Sequence, residues 1–290
     1  MSKPPFHVPP VGVRAYPLVT RRGDFAVLDV EPAGEPIGTA LLVPGYTGSK
    51  EDFIALLVPL SAAGFRTLAV DGRGQYETVG TRARASYGIG ALAEDVLAQA
   101  DALSDAGPVH LVGHSLGGLI ARGAVLRAAA AGRVPLPFAS LTLIASGPGR
   151  VAPLQRWKVR MLSVSLPVLG ADLVWRFLHP RADAGEIAEF LRRRWLANAP
   201  TQLLATGRTL LREPDRVARL AAAGLPVHVV SGERDGAWPV PSLDRMAAEL
   251  GAHRTVIPGA EHSPNAEQPG ATAAALAGFW TGLPGGSPDR

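Results

Sequence analysis

Apolar residues in this chain fall into two alternating patterns. Short, nearly continuous apolar runs occupy residues 25–30, 39–43, 65–70, 109–112, 140–145, 226–230 and 254–257. Runs of this length, bounded by Gly and Pro, read as strands. The run at 39–43 is apolar on both faces, as a central strand covered by helices must be. Between the runs, apolar positions recur at helical spacing over 51–63, about 89–105, 116–131, 240–250 and about 271–280. Gly64 and the pair Gly107-Pro108 break two of these helices. Strands alternating with helices predict βαβ crossovers, a mostly parallel sheet and an α/β fold.

The alternation lapses between residues 147 and 221. That stretch holds apolar and arginine-rich helical segments, with Trp157, Trp175 and Trp195 among them and no clear strand. It is expected to be an insertion of helices over one edge of the sheet. The chain then divides into a first core segment at 1–146, a helical cap at 147–221 and a second core segment at 222–290. Residues 1–22 are proline-rich and are expected to include a short extended lead-in. The polar tail at 282–290 is expected to fray.

Composition changes this picture little. Hydrophobic residues make up 47% and charged residues 19% of 290, a balance that can fill a sizeable core. Basic residues outnumber acidic ones 29 to 25, spread along the chain. The densest run, Arg192-Arg193-Arg194, lies near Glu186 and Glu189 and reads as a solvated helix face. Without a zinc finger, helix-turn-helix signal or aromatic RNA-binding strand, no nucleic-acid partner is expected. The lack of cysteine excludes disulfides, thiolate nucleophiles and Cys-ligated metals. No apolar stretch of signal-peptide length opens the chain, and no uncharged apolar run of about 18 residues follows. A cytoplasmic protein with no membrane span is expected.

One segment carries chemistry. Leu111-Val112-Gly113-His114-Ser115-Leu116-Gly117-Gly118 sets a Gly-x-Ser-x-Gly pattern between a predicted strand and a predicted helix. Such a turn pushes the serine hydroxyl to the top of the sheet, and glycines two residues either side let neighbouring backbone approach. The helix that follows aims backbone N–H groups at developing negative charge. Ser115 is therefore the expected nucleophile.

From the strand at 39 to the last helix, the chain resembles the α/β-hydrolase superfamily, of the serine esterase or lipase type with a helical cap. The resemblance implies a mostly parallel sheet of about eight strands and hydrolytic or closely related chemistry. It maps the catalytic acid onto Asp235, in Ser231-Gly232-Glu233-Arg234-Asp235, with Glu233 as the local rival. It maps the base onto His262, in Pro258-Gly259-Ala260-Glu261-His262, after the last strand. His114, beside the nucleophile, reads as a packing residue. The oxyanion donors would be the backbone N–H groups of Leu116 and Tyr46. Here the loop reads Pro44-Gly45-Tyr46, where the family often has His-Gly-x. Asp71-Gly72-Arg73-Gly74-Gln75 resembles the family's Asp-x-Arg-Gly turn, giving Arg73 a scaffold role. Gln75, Trp157 and Trp175 are candidate pocket walls. Serine at 115, and not aspartate, argues against epoxide hydrolysis and dehalogenation. The expected activity is hydrolysis of a small or medium hydrophobic carboxylic ester through an acyl-enzyme, with no metal or organic cofactor. Acyl transfer, amide, lactone or C–C bond hydrolysis, and a non-catalytic binding role stay open as alternatives.

Overall fold

In the computed structural model, which describes residues 2–104, 107–179 and 185–283, strands and helices alternate as the pattern predicts. The strands are β1 (Arg14–Thr20), β2 (Gly23–Val30), β3 (Gly38–Val43), β4 (Phe65–Val70), β5 (Val109–His114), β6 (Ser140–Ile144), β7 (Val227–Gly232) and β8 (His253–Ile257). The helices are α1 (Ile54–Ala62), α2 (Ile89–Asp101), α3 (Leu116–Ala130), α4 (Pro153–Leu178), α5 (Glu186–Ala197), α6 (Pro200–Arg212), α7 (Val217–Ala221), α8 (Val240–Leu250), α9 (Pro264–Glu267) and α10 (Pro269–Thr281). The tail expected to fray lies outside the described residues from position 284 onward.

The strands form one sheet in the order β1-β2-β4-β3-β5-β6-β7-β8. β2 runs antiparallel to β1 and β4, and every other pairing is parallel. The lead-in is therefore the edge strand β1. It escaped the apolar pattern because only Leu18 of its residues is buried. Central strands are buried throughout, because alternate residues serve opposite faces and both faces are covered. Leu41, Leu111, Leu141 and Val229 pack toward α2 and α3, while Leu42, Val112, Ile144 and Val230 pack with Phe53, Leu57 and Trp280.

Register decides where the loops meet. Val43 lies opposite Gly113, and His114 opposite Ile144, so β3, β5 and β6 end side by side. Gly232 lies opposite Ile257, so the loops leaving β7 and β8 emerge together. Above these ends α4, α5 and α6 form the cap, whose own core holds Leu166, Trp175, Phe190, Trp195 and Leu203. α7 instead packs beside the sheet on α3 and α8.

One expectation about the fold needs correction. Arg192 and Arg193 are exposed, but Arg194 is fully buried. Its guanidinium lies 2.6 Å from the buried Asp52 carboxylate and donates to the Ser2 carbonyl at 2.8 Å, tying α5 to the core and the N-terminal segment. Successive helical residues turn by about 100°, so one member of an arginine run can face inward. By length and composition alone α4 is apolar enough to cross a bilayer, but Arg156, Lys158, Arg160, Asp172 and Arg176 leave it no uncharged apolar run of about 18 residues. Ser163, Ser165, Pro167 and Gly170 interrupt its apolar run, and a non-helical Gly170 (φ 75°) kinks it.

Buried histidines make the core sensitive to acid. Burial pushes His110 down to about 4 and His228 down to about 3 from the ordinary 6.5, with His253 and Arg254 adding to the effect at His228. Between the folded and unfolded values, the unfolded chain binds more protons, so stability falls as the pH drops below about 6.5. Each such histidine costs about 2 kcal/mol by pH 5. Denaturant unfolding of His228→Asn should therefore show about 2 kcal/mol less loss than wild type between about pH 7 and pH 5. Equal losses would show that His228 does not contribute.

Candidate active site

Ser115 sits between the end of β5 and the start of α3 with φ 53° and ψ −117°, a conformation that side chains rarely adopt. The surroundings hold it there. Its N–H donates to the Ile144 carbonyl at 2.9 Å, and its carbonyl accepts from Gly118 N–H at 3.0 Å. A Cβ on Gly117 would lie 2.2 Å from the Val43 carbonyl oxygen, and one on Gly113 would lie 2.4 Å from the Gly117 oxygen. Both glycines of the motif are thus required by close backbone approach.

The three mapped side chains meet. Ser115 Oγ lies 3.1 Å from His262 Nε2, and His262 Nδ1 lies 2.9 Å from Asp235 Oδ1. The Asp235 side chain is fully buried, and Oδ1 also accepts the N–H groups of Ala237 (2.7 Å) and Trp238 (3.1 Å). With the carboxylate accepting at Nδ1, Nε2 is left to accept the serine proton. Glu233 points elsewhere: its carboxylate accepts from Gly259 N–H at 2.9 Å, bracing the loop that carries His262.

His114 does more than pack. Its Nε2 lies 2.9 Å from the His262 carbonyl oxygen, which can only accept, so Nε2 carries the proton. Burial, with His262 close by, pushes His114 down to about 3, keeping the ring neutral. It therefore pins the backbone of His262 from beneath. The contact spans 148 residues of chain, and local sequence carries no signal for it.

On the opposite side of Ser115 lies the loop after β3. A Cβ on Gly45 would come 3.3 Å from Ser115 Cβ, so this loop presses against the serine. Leu116 opens α3, where its N–H has no intrahelical acceptor. Tyr46 N–H shares a peptide unit with the Gly45 carbonyl, which accepts from Gln75 Nε2 at 2.7 Å. Gln75 Oε1 in turn accepts from Gly72 N–H at 3.0 Å. In a trans peptide the carbonyl and N–H point in opposite directions, so Gln75 fixes the direction of the Tyr46 N–H. Gln75 is thus buried behind the loop, and the expectation that it walls the pocket is corrected. Arg73 braces its turn against α2 through Asp95 at 2.7 Å and against the β1–β2 turn through the Arg22 carbonyl at 2.9 Å.

A cavity of about 160 Å³ opens beside Ser115 and His262. Val151, Val159, Leu210 and Ala237 give it an apolar wall, and Ser2, Thr47, Asp52 and Gln155 contribute polar groups. Val159 and Leu210 come from α4 and α6, so the insertion does cover the serine. The tryptophans expected there are elsewhere. Trp175 is 5% exposed and stacks on His179 within the cap, while Trp157 is 58% exposed on its outer surface. Both lie outside the cavity wall: Trp157, two residues from Val159, is turned to the opposite side of the helix, and Trp175, beyond the kink at Gly170, is buried in the cap's own core.

Comparison with known proteins agrees with the fold. Residues 40–275 match the alpha/beta hydrolase family, and the chain belongs to that family. A hydrolase from Pseudomonas aeruginosa PA01 has a similar structure, with TM-score 0.74 and 23% identity, covering 93% of this chain and 99% of that one. A thermophilic esterase from Thermogutta terrifontis gives TM-score 0.70 and 22% identity over 92% of this chain and 97% of its own. The enol-lactonase from Burkholderia xenovorans LB400 gives 0.73 and 19% over 92% and 100%. A shorter match, 42% identical over 69 residues, joins the chain to the 2-succinyl-6-hydroxy-2,4-cyclohexadiene-1-carboxylate synthase of Enterobacter sp. (strain 638). It spans 24% of this chain and 25% of the synthase.

Proposed function

We propose that the protein is a serine hydrolase that cleaves small or medium carboxylic esters through an acyl-enzyme. The observation that carries this reading is the hydrogen-bonded series from Ser115 through His262 to Asp235, opening on a cavity with an apolar wall. Ser115 Oγ attacks the ester carbonyl as its proton passes to His262 Nε2. Buried Asp235 stabilises the imidazolium and holds the ring in the productive tautomer. The carbonyl electron pair moves to oxygen, where the Tyr46 and Leu116 N–H groups receive it. When the pair returns, the C–O bond breaks and His262 protonates the departing alcohol. Water then repeats the sequence on the acyl-enzyme, releasing the acid and restoring Ser115. Val151, Val159, Leu210 and Ala237 would receive the hydrophobic part of the substrate.

The test is a panel of p-nitrophenyl esters of increasing acyl length. Short acyl chains should turn over best, in keeping with a cavity of about 160 Å³, with acid and alcohol released in equal amounts. No hydrolysis of any ester by folded protein would overturn the reading. The same assay tests the brace behind the oxyanion loop. Gln75→Leu should lower kcat by roughly 10–100-fold with KM little changed, because the Tyr46 donor matters most once charge develops on the carbonyl oxygen. A loss of thermal stability with unchanged kcat would make Gln75 a merely structural residue.

A further inference from the structure

The two sides of α4 face different surroundings. On the inner side Val159 and Leu166 are buried, and Val159 walls the cavity beside Ser115. On the outer side Leu154, Trp157, Met161, Val164 and Val168 follow one another at intervals of three and four residues, one stripe of a helix. All five are exposed, from 49% at Met161 to 78% at Val168. Beyond the kink at Gly170, Leu173 and the 85% exposed Phe177 add a further apolar turn. An amphipathic helix normally turns such a stripe toward the core. Here it faces outward, and contiguous exposed apolar surface of this kind marks an interaction site.

Charge identifies the partner. At about 100° per residue, Lys158 and Arg160 fall on opposite flanks of the stripe, and both are exposed. Asp172 is the only acidic residue of α4, and it is paired with Arg176 at 3.0 Å and Arg192 at 2.7 Å. Between positions 153 and 212 the sequence has ten Lys or Arg and four Asp or Glu, against 29 and 25 in the whole chain. The positive excess therefore resides in the cap, and the remainder of the chain is net negative.

We propose that the outer face of α4 docks the protein on anionic lipid bilayers. The apolar stripe would enter the boundary between headgroups and acyl chains, with Trp157 at headgroup depth. Lys158 and Arg160 would lie against the lipid phosphates. The helix lies flat on the surface and does not span it, because Val159, Leu166, Val174 and Trp175 are committed to the protein interior. Two copies stacked stripe to stripe would instead bring like-charged flanks together, which disfavours self-association. The docked helix is also a wall of the cavity, so substrates carried by the bilayer would reach Ser115 from the adjacent surface.

Flotation of the full chain with vesicles tests this directly. Binding is expected to vesicles of phosphatidylcholine mixed with phosphatidylglycerol, weakening as salt is raised, and to be at least about tenfold weaker to phosphatidylcholine alone. Lys158→Glu and Arg160→Glu should each weaken it by about fivefold or more, and Val164→Ser/Val168→Ser by about tenfold. Circular dichroism and Tm of these variants should match wild type, since the altered side chains are exposed. Ser115→Ala should bind as wild type, which separates docking from the proposed reaction. Failure to float with either vesicle, equal binding to both, or binding unchanged in the variants would overturn the proposal. A stable wild-type dimer in sedimentation velocity that Val164→Ser/Val168→Ser splits would also overturn it, making a second copy the occupant.

Discussion

Ser115→Ala is expected to lower ester turnover by about 10⁴-fold or more while leaving the fold intact. In the proposed reaction the hydroxyl forms the ester bond, and its proton has a receiver 3.1 Å away at His262 Nε2. Removing it leaves the oxyanion donors and the cavity in place, so substrate binding should persist. The strained Ser115 backbone is held by the Ile144 carbonyl and by Gly118, contacts that alanine keeps. Turnover of a saturating activated ester, after circular dichroism confirms folding, checks this. A variant within about tenfold of wild type would remove Ser115 from the reaction.

Asp235→Asn is expected to lower turnover by roughly 10²–10⁴-fold near neutral pH, and Glu233→Gln by less than about 10-fold. Asp235 Oδ1 is 2.9 Å from His262 Nδ1. An amide there supplies no charge to stabilise the imidazolium that forms during attack. Two backbone N–H groups at 2.7 and 3.1 Å already hold Oδ1, so the carboxylate cannot swing away from its partner cheaply. The Glu233 carboxylate instead holds Gly259 N–H, and its loss should loosen the histidine loop without changing His262's tautomer. The two variants compared side by side at saturating ester decide the assignment. Severe loss in Glu233→Gln beside a near-normal Asp235→Asn would reverse it.

The parts of this structure legible in the sequence are those whose cause is local. Central strands announce themselves because both faces are covered, whereas β1 shows little because one buried residue, Leu18, leaves no pattern to read. The turn at Ser115 is legible for a physical reason. Gly113 and Gly117 must lack side chains where backbone passes within about van der Waals contact, and that constraint is written as a fixed spacing. What lies behind the site is not local. Gln75 reaches the Gly45 carbonyl across 30 residues, and His114 reaches the His262 carbonyl across 148. Neither partner can be known before the sheet register aligns the strand ends. The cap tryptophans failed for another reason. An apolar helix with residues on several sides does not reveal which side meets the core, so Trp175 went inward and Trp157 outward.

The measurement that tests the account most directly is the mass of the intact protein after exposure to a fluorophosphonate, followed by mapping of the modified residue. Wild-type protein should gain one phosphonyl group on the peptide containing Ser115, and Ser115→Ala should gain none. Asp235→Asn should be labelled more slowly, because its histidine activates the serine less well. Stoichiometric labelling of folded Ser115→Ala, or a folded wild type that resists the reagent, would contradict the assignment of Ser115 as the nucleophile.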